Sequence, residues 1–402
     1  MNQLRSSSIA GEETEYFDRI PVDLFISNIL SRLPLKSIVQ CRCVSKLWSS
    51  RIRLPNYNLL FPIKPPAPPR ILFTIEYERE LFVYSSPQLH NPGENTSLVA
   101  TLHQRTRGTG FSVYRPPVGG LVCRQHYRKN PMNPSPVVVI SNPITGECLA
   151  LPRLRMDEIK NKSKLFLGNV GYCFSFGYDP IDKKFKILRI TTLYEYDTQN
   201  SSQYQVLTLG ARKKNLLWRN IQCCTNHYPY MCHDDMICIS GVLYYPAGCY
   251  KGKRHCVAIA CFDVRSESFS FINVDLEDMT AEKISSYSFA LIDYKGKLGA
   301  CYCDTYKNLF ELWVLENAEE HKWSKYIYQM PQLPEMISVR ASGMIGSGEI
   351  VLQPSYSVVD FFVLYYNLER NIITRVRLEV PLMVSGCWVH AFTNYVEDLK
   401  LM

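Results

Sequence analysis

The run Phe262-Asp263-Val264-Arg265-Ser266-Glu267-Ser268-Phe269 is an apolar strand end, a turn with a polar and charged tip, and the start of a second strand. The same cadence returns in Asn142-Pro143-Ile144-Thr145-Gly146-Glu147 and in Tyr366-Asn367-Leu368-Glu369-Arg370-Asn371. Strand-to-turn points of this kind fall at Tyr84, Asn142, Leu209, Asp263, Leu315 and Tyr366. They lie about 50 to 65 residues apart, close to the ~40 to 50 of known propeller repeats. Such a series predicts a large all-β domain, a β-propeller of about six four-stranded blades, in which radial packing protects the strand edges. A single β-sandwich would leave too many strands over, and two stacked sandwiches are the competing arrangement.

Outward from these points the texture holds from Arg70 to the end of the chain. Ile71-Leu72-Phe73-Thr74-Ile75, Val137-Val138-Val139-Ile140 and Phe185-Lys186-Ile187-Leu188-Arg189-Ile190 are β-branched and aromatic runs, punctuated elsewhere by Gly, Pro, Asn and Asp. That is the composition of strands and turns. Trp218, Trp313, Trp323 and Trp388 sit in or beside such runs and are expected mainly in the core. Gly177, Gly241 and Gly296 are expected to serve turns.

Composition bounds the function. The chain has 402 residues, 46% hydrophobic and 20% charged, enough apolar material for a large core. Its 45 Lys and Arg against 37 Asp and Glu give a formal charge of +8. The basic groups at 124–129, 160–164, 212–214 and 251–254 are short and scattered, so they are expected to be solvated loops, and no nucleic-acid partner is expected. The 15 cysteines are odd in number and evenly spread, which fits a reducing compartment, cytoplasmic and/or nuclear, better than a disulfide framework. No run approaches the ~18 apolar residues of a membrane span, so no membrane partner is expected. The polar segment 1–17, with Glu12, Glu13 and Glu15, has no signal-peptide character and is expected to be a disordered tail.

Between Ile20 and Ile52 the pattern is helical instead. Pro21 suits a first helical position, and Val22, Ile26, Ile29, Leu30 and Leu33 follow one apolar face. Pro34 ends that helix and opens a second in which Leu35, Ile38 and Val39 share a side. A third stripe runs Val44, Leu47, Trp48 and Ile52, closed by Pro55. At ~100° per residue Leu24 points away from the first stripe, and Phe25 lies on its flank. A unit of about forty residues is too small to be self-sufficient, so a partner, or the chain's own β-domain, must complete it.

These helices resemble the plant F-box almost position by position, through Ile20-Pro21-Val22-Asp23-Leu24, Ile29-Leu30-Ser31-Arg32-Leu33-Pro34-Leu35-Lys36-Ser37-Ile38 and Arg42-Cys43-Val44-Ser45-Lys46-Leu47-Trp48. The resemblance implies a small all-α F-box motif of three helices that binds a Skp-type adaptor and, through it, a cullin scaffold. Ile20, Pro21, Leu24, Ile29, Leu33, Pro34, Ile38 and Val44 fall where that family contacts its adaptor or shapes the contacting surface, and Trp48 matches its third-helix aromatic. The first position is usually Leu and is Ile20 here, a nearly volume-conserving change.

After this motif, Phe61-Pro62-Ile63-Lys64-Pro65-Pro66-Ala67-Pro68-Pro69 is expected to be a stiff, extended spacer. Farther on, Phe176-Gly177-Tyr178-Asp179-Pro180, Phe262-Asp263-x-Arg265-Ser266-Glu267-x-Phe269, Tyr294-Lys295-Gly296-Lys297-Leu298 and Gly348-Glu349-Ile350-Val351-Leu352 resemble the plant F-box-associated interaction domain, in that family's order. The resemblance implies a kelch-like or propeller-like body that holds a protein target. The expected organisation is a tail over 1–17, the F-box over 18–60, the linker over 61–70 and the propeller-like domain over 71–402.

No catalytic constellation emerges. Cys223, Cys224, His227, Cys232 and His233 crowd together, but their spacing is poor for structural zinc, and no Cys-x-x-Cys is present. Gly346-Ser347-Gly348-Glu349 lacks the lysine of a phosphate loop. No metal or cofactor is expected, and the resemblance points to a non-catalytic receptor subunit that brings a target to a ubiquitin ligase. The alternative is a propeller-type glycan-binding protein or enzyme with a helical cap. In propellers partners meet the loops of one face, so the polar connections Arg124 to Pro136 and Cys223 to Asp235 are the candidate target-binding segments.

Overall fold

The computed structural model describes residues 21, 24, 28–33, 35–41, 44 and 49, and the span 68–398 except 79, 108–111, 127–135, 154–169, 195–199, 211–215, 231–235, 252–253, 275–278, 334–336, 355–360 and 381–387. The tail, nearly all of the proline-rich spacer and most of the first and third expected helices lie outside the described residues. In the N-terminal part a 3-10 turn covers Leu30–Arg32 and helix α1 covers Leu35–Cys41. Leu33 between them is extended, because the ring of a following proline disfavours helical geometry.

The rest is a ring of six sheets. β1 (Arg70–Tyr77) and β2 (Glu80–Pro87) form a hairpin, β3 (Ser97–Val99) leaves it, and β4 (Thr101–Arg107) returns to β2. Blade 2 is β5 (Ser112–Tyr114), β6 (Val122–His126), β7 (Val137–Ser141) and β8 (Cys148–Ala150). Blade 3 is β9 (Val170–Asp179), β10 (Lys184–Leu193), β11 (Ser201–Leu209) and β12 (Arg219–Ile221). In blade 4 the inner position is shared by β13 (His227–Pro229) and β14 (Ile237–Ile239), followed by β15 (Val242–Lys251), β16 (Arg254–Asp263) and β17 (Phe269–Asn273). Helix α2 (Ala281–Ser285) precedes blade 5, which is β18 (Phe289–Tyr294), β19 (Lys297–Asp304), β20 (Leu309–Asn317) and β21 (Lys322–Gln329). Blade 6 is β22 (Val339–Met344), β23 (Ile350–Pro354), β24 (Phe362–Asn367) and β25 (Ile372–Glu379), with β3 added in parallel at its outer edge. Finally β26 (Trp388–Tyr395) pairs with β1 and becomes the inner strand of blade 1, closing the ring.

The six-bladed ring agrees with the repeat seen in the sequence, and its core explains why. The hydrophobic core divides into six clusters, one between each pair of neighbouring blades. Trp313 of β20, fully buried, belongs to the cluster between blades 4 and 5, while Trp218 and Trp323 are half-buried at the margins of theirs. The Trp388 side chain lies outside the described residues.

The six sequence points all fall on the third strand of a blade or, for Asn142, on the residue just after it. In four blades that strand ends on, or is followed at once by, an Asn or Asp whose side-chain oxygen accepts a backbone N–H two or three residues on: Asn142 from Ile144, Asp263 from Ser266, Asn317 from Glu319 and Asn367 from Arg370. Such Asx turns are encoded locally, which is what makes the repeat visible. Tyr84 is the exception, since it lies inside β2 rather than at its end.

One glycine departs from expectation. Gly241 (φ +87°) and Gly296 (φ +82°) occupy tight turns between first and second strands. Gly177 lies within β9, where a Cβ would meet Val264 Cγ2 at 2.7 Å and Leu243 Cγ at 3.1 Å, so its role is close contact between blades 3 and 4 and not a turn. The same interface carries an ionic clamp in which Glu267, on the turn after β16, accepts from Lys186 of β10 at 2.7 Å and also meets Arg219 of β12.

Candidate functional site

The helical segment presents apolar groups outward. Leu24 is 49% exposed, Ile29 36% and Val44 64%, whereas Leu30 and Ile38 are each 1% exposed. Pro21 is exposed and Leu33 half-buried. Ile29, which helical phase puts on the same stripe as Leu30 and the resemblance puts on the adaptor-contacting surface, is exposed, while Leu30 beside it is buried at the start of the 3-10 turn. Ile38, named among the adaptor-site positions, is thus a buried side chain and not an exposed one. Ile20, Pro34 and Trp48 lie outside the described residues.

In the ring, successive strands of a blade run antiparallel, so its connections sort to two rims. First-to-second and third-to-fourth turns share one rim and are mostly tight. Second-to-third connections and blade-to-blade crossings share the other and are mostly longer. The segment Arg124 to Pro136 joins the second and third strands of blade 2, and Cys223 leads from blade 3 to blade 4, so both start on the longer rim. Residues 127–135 and 231–235 lie outside the described residues.

Cys223 to Asp235 is not a single polar loop as expected, because β13 interrupts it. The reason is His227, which looks like a solvent-facing residue but is fully buried. Its Nε2 is 2.7 Å from the Tyr245 hydroxyl, its Nδ1 is 3.0 Å from both the Tyr204 hydroxyl and the Thr225 carbonyl, and its backbone N–H donates to Tyr204 at 2.8 Å. Burial pushes its pKa down to about 4, so the ring is neutral at physiological pH. Both ring nitrogens are thus engaged in the core, and the described residues contain no cluster of three or more metal-ligating side chains. Cys301 and Cys303 of β19 are packed thiols whose pKa values burial raises, that of Cys303 to about 12.

On the longer rim β13 brings together an aromatic patch that the sequence reading missed. Tyr228 packs edge-on against Tyr194 at 6.0 Å between ring centroids, and its hydroxyl lies 2.8 Å from His255 Nε2. Tyr250 and Tyr230 also contact His255, at 5.6 and 5.9 Å. Gly248 lies under the Tyr228 ring, where a Cβ would be 2.6 Å from Cζ, and Gly171 lies as closely under Tyr194. Four half-buried tyrosines and an exposed histidine thus gather here, two of the tyrosines seated on glycine backbone, a surface apolar in body and polar at its tips. The available signal was tyrosine at strand ends beside connections.

Inside the ring a cavity of about 220 Å³ is lined by Cys238 of β14, Asp293 of β18, Arg340 of β22, Gln353 of β23 and His390 and Phe392 of β26. Its polar groups are tied to the frame: Asp293 accepts from Gly296 N–H at 2.7 Å, and Gln353 accepts from Ser342 at 3.0 Å and from the Ala391 N–H.

Comparison with known proteins accords with this architecture. The F-box domain matches residues 17–60, and the F-box associated beta propeller domain matches residues 70–396. The chain is 53% identical to the putative F-box protein At1g53550 of Arabidopsis thaliana, over 99% of this chain and 95% of that one. It is 45% identical to the putative F-box protein At1g55070 of the same plant, over 96% and 92%, and 39% identical to its F-box protein DOR, over 96% and 95%. Among solved structures a mutant of Trypanosoma rangeli sialidase overlaps 73% of this chain and 53% of its own at a TM-score of 0.41 and 12% identity, a likeness too loose to speak to activity. With its two domains matched in sequence along nearly its whole length, the chain belongs to the F-box proteins whose body is an F-box associated β-propeller.

Proposed function

We propose that the protein is the target-recognition subunit of a Skp-cullin-F-box ubiquitin ligase, cytoplasmic or nuclear, which docks a Skp-type adaptor through its F-box and holds a protein target on its propeller. The observation that carries this reading is the union, in one chain, of an F-box that leaves Leu24, Ile29 and Val44 exposed with a six-bladed ring that has one rim of longer connections. Exposed large apolar groups on a unit too small for its own core are the chemistry of an obligate contact. The chain would contribute proximity, raising the effective concentration of target lysines near a ubiquitin donor carried by other subunits. On the propeller, Tyr194, Tyr228, Tyr230, Tyr250 and His255 form the favoured target-binding patch, because aromatic anchors with polar tips give large contact area at low entropy cost.

The test is co-purification of the full chain with a Skp-type adaptor. Leu24→Asp should abolish the complex while the unfolding profile of the propeller stays unchanged. Retention of the adaptor by Leu24→Asp together with Val44→Asp would overturn the reading.

A further inference from the structure

Cys249 and Cys256 are direct register partners across β15 and β16, and their sulfur atoms lie 2.8 Å apart. Directly opposed antiparallel residues hold their Cα atoms about 4.5 to 5.5 Å apart, inside the ~4.4 to 6.8 Å window that a disulfide accepts. The strand spacing is therefore one that a disulfide accepts. Only Tyr250, Lys251, residues 252–253, Arg254 and His255 lie beyond the pair, so the bond would close the end of the hairpin. Cys249 is buried and Cys256 half-buried, which makes Cys256 the sulfur that a dissolved oxidant reaches first.

We propose that Cys249 and Cys256 form a reversible dithiol-disulfide site whose oxidant is a low-molecular-weight disulfide. The Cys256 thiolate attacks one sulfur of the oxidant, forming a mixed disulfide and breaking the oxidant's S–S bond. The expelled thiolate takes up the proton that Cys256 lost. Cys249, held against the mixed disulfide, then loses its proton and attacks the Cys256 sulfur. The internal S–S bond forms, the mixed one breaks, and the second small thiol leaves carrying the Cys249 proton. Two protein thiols are oxidised and one oxidant disulfide is reduced to two thiols, so atoms and electrons balance. The bond ties together the strand ends that carry Tyr250 and His255, and redox state thereby sets how rigidly that part of the aromatic patch is held.

The experiment exposes the full chain to oxidised glutathione, blocks the remaining thiols with a maleimide and maps the peptides by mass spectrometry. A peptide linked through Cys249 and Cys256 should be the dominant product, with a loss of two titratable thiols that dithiothreitol restores. Amide hydrogen exchange over residues 250–255 should slow several-fold on oxidation. Cys256→Ser should remove the linked peptide and the slowing together. Glutathione retained on Cys256 as a stable mixed disulfide, linkage of other cysteines ahead of this pair, or no loss of thiols would each overturn the proposal, and the wild-type map decides even if the variant does not fold.

Discussion

The ammonium of Lys186 in blade 3 donates to the carboxylate of Glu267 in blade 4 at 2.7 Å, with side-chain exposures of 9% and 12%. Burial by itself would raise the Glu267 pKa, but the hydrogen bonds and charges of Lys186 and Arg219 outweigh it and hold the carboxyl below its ordinary range. A depressed carboxyl contributes stability that is present above the unfolded-state pKa and is lost as pH falls through the folded one. Glu267→Gln should therefore lower stability by about 1 to 3 kcal/mol near neutrality, because it leaves the buried Lys186 ammonium without a counter-charge, held only by the Arg265 carbonyl at 3.2 Å and a neutral amide oxygen. The gap between variant and wild type in urea melts should close as the pH drops below the normal carboxylate range.

His227 predicts a second pH dependence, of distinct origin. Its folded pKa is lowered to about 4 by burial, whereas an unfolded histidine titrates at about 6.5, so the unfolded chain binds the extra proton between those values. Its contribution is complete above pH ~6.5 and is lost as pH falls toward ~4, by up to about 3 kcal/mol. His227→Phe should be less stable than wild type at neutral pH, since it strands the Tyr245 hydroxyl, and the difference should narrow through that window. Denaturant midpoints for both proteins, measured in steps of pH, check this.

Gly177→Ala should destabilise by about 1 to 3 kcal/mol through overpacking against Val264. Adding Val264→Ala should recover part of the loss, a coupling that a double-mutant cycle reads directly. Gly296→Ala meets nothing within 4 Å but must hold φ near +82°, so it should cost about 1 kcal/mol with no rescue from Val264→Ala.

Leu24 and Ile38 should separate when each is cut to alanine. Leu24→Ala removes an exposed group and should weaken adaptor capture without changing tryptic cleavage within residues 17–60. Ile38→Ala empties a buried position, should cost the helical unit about 2 to 5 kcal/mol, and should accelerate that cleavage. Equal cleavage rates in the two variants would contradict the division of roles.

The blade repeat was legible because Asn142, Asp263 and Asn367 act within a few residues of themselves, and local chemistry leaves a local mark. Blade 1 was read less well, since β3 departs between β2 and β4 to pair with β25 on another blade, and nothing nearby announces such a partner. The same limit applies at the site. His227 looked like a loop residue or a zinc ligand because the tyrosines that satisfy it come from β11 and β15, and Gly177 looked like a turn because its crowding neighbours come from blade 4. In the helical segment Leu24 is exposed, as helical phase predicts, whereas Ile29 is exposed although the same phase puts it on the buried stripe.

Because β26 supplies the inner strand of blade 1, β1 has no partner on that side until residues 388–395 exist. A nascent chain leaving the ribosome thus carries an open-ended arc until β26 emerges, with the F-box already outside. A stop codon ahead of residue 388 would do more than shorten the product. It would leave an exposed strand edge at the start of the ring, ready to be claimed by another chain or by quality control.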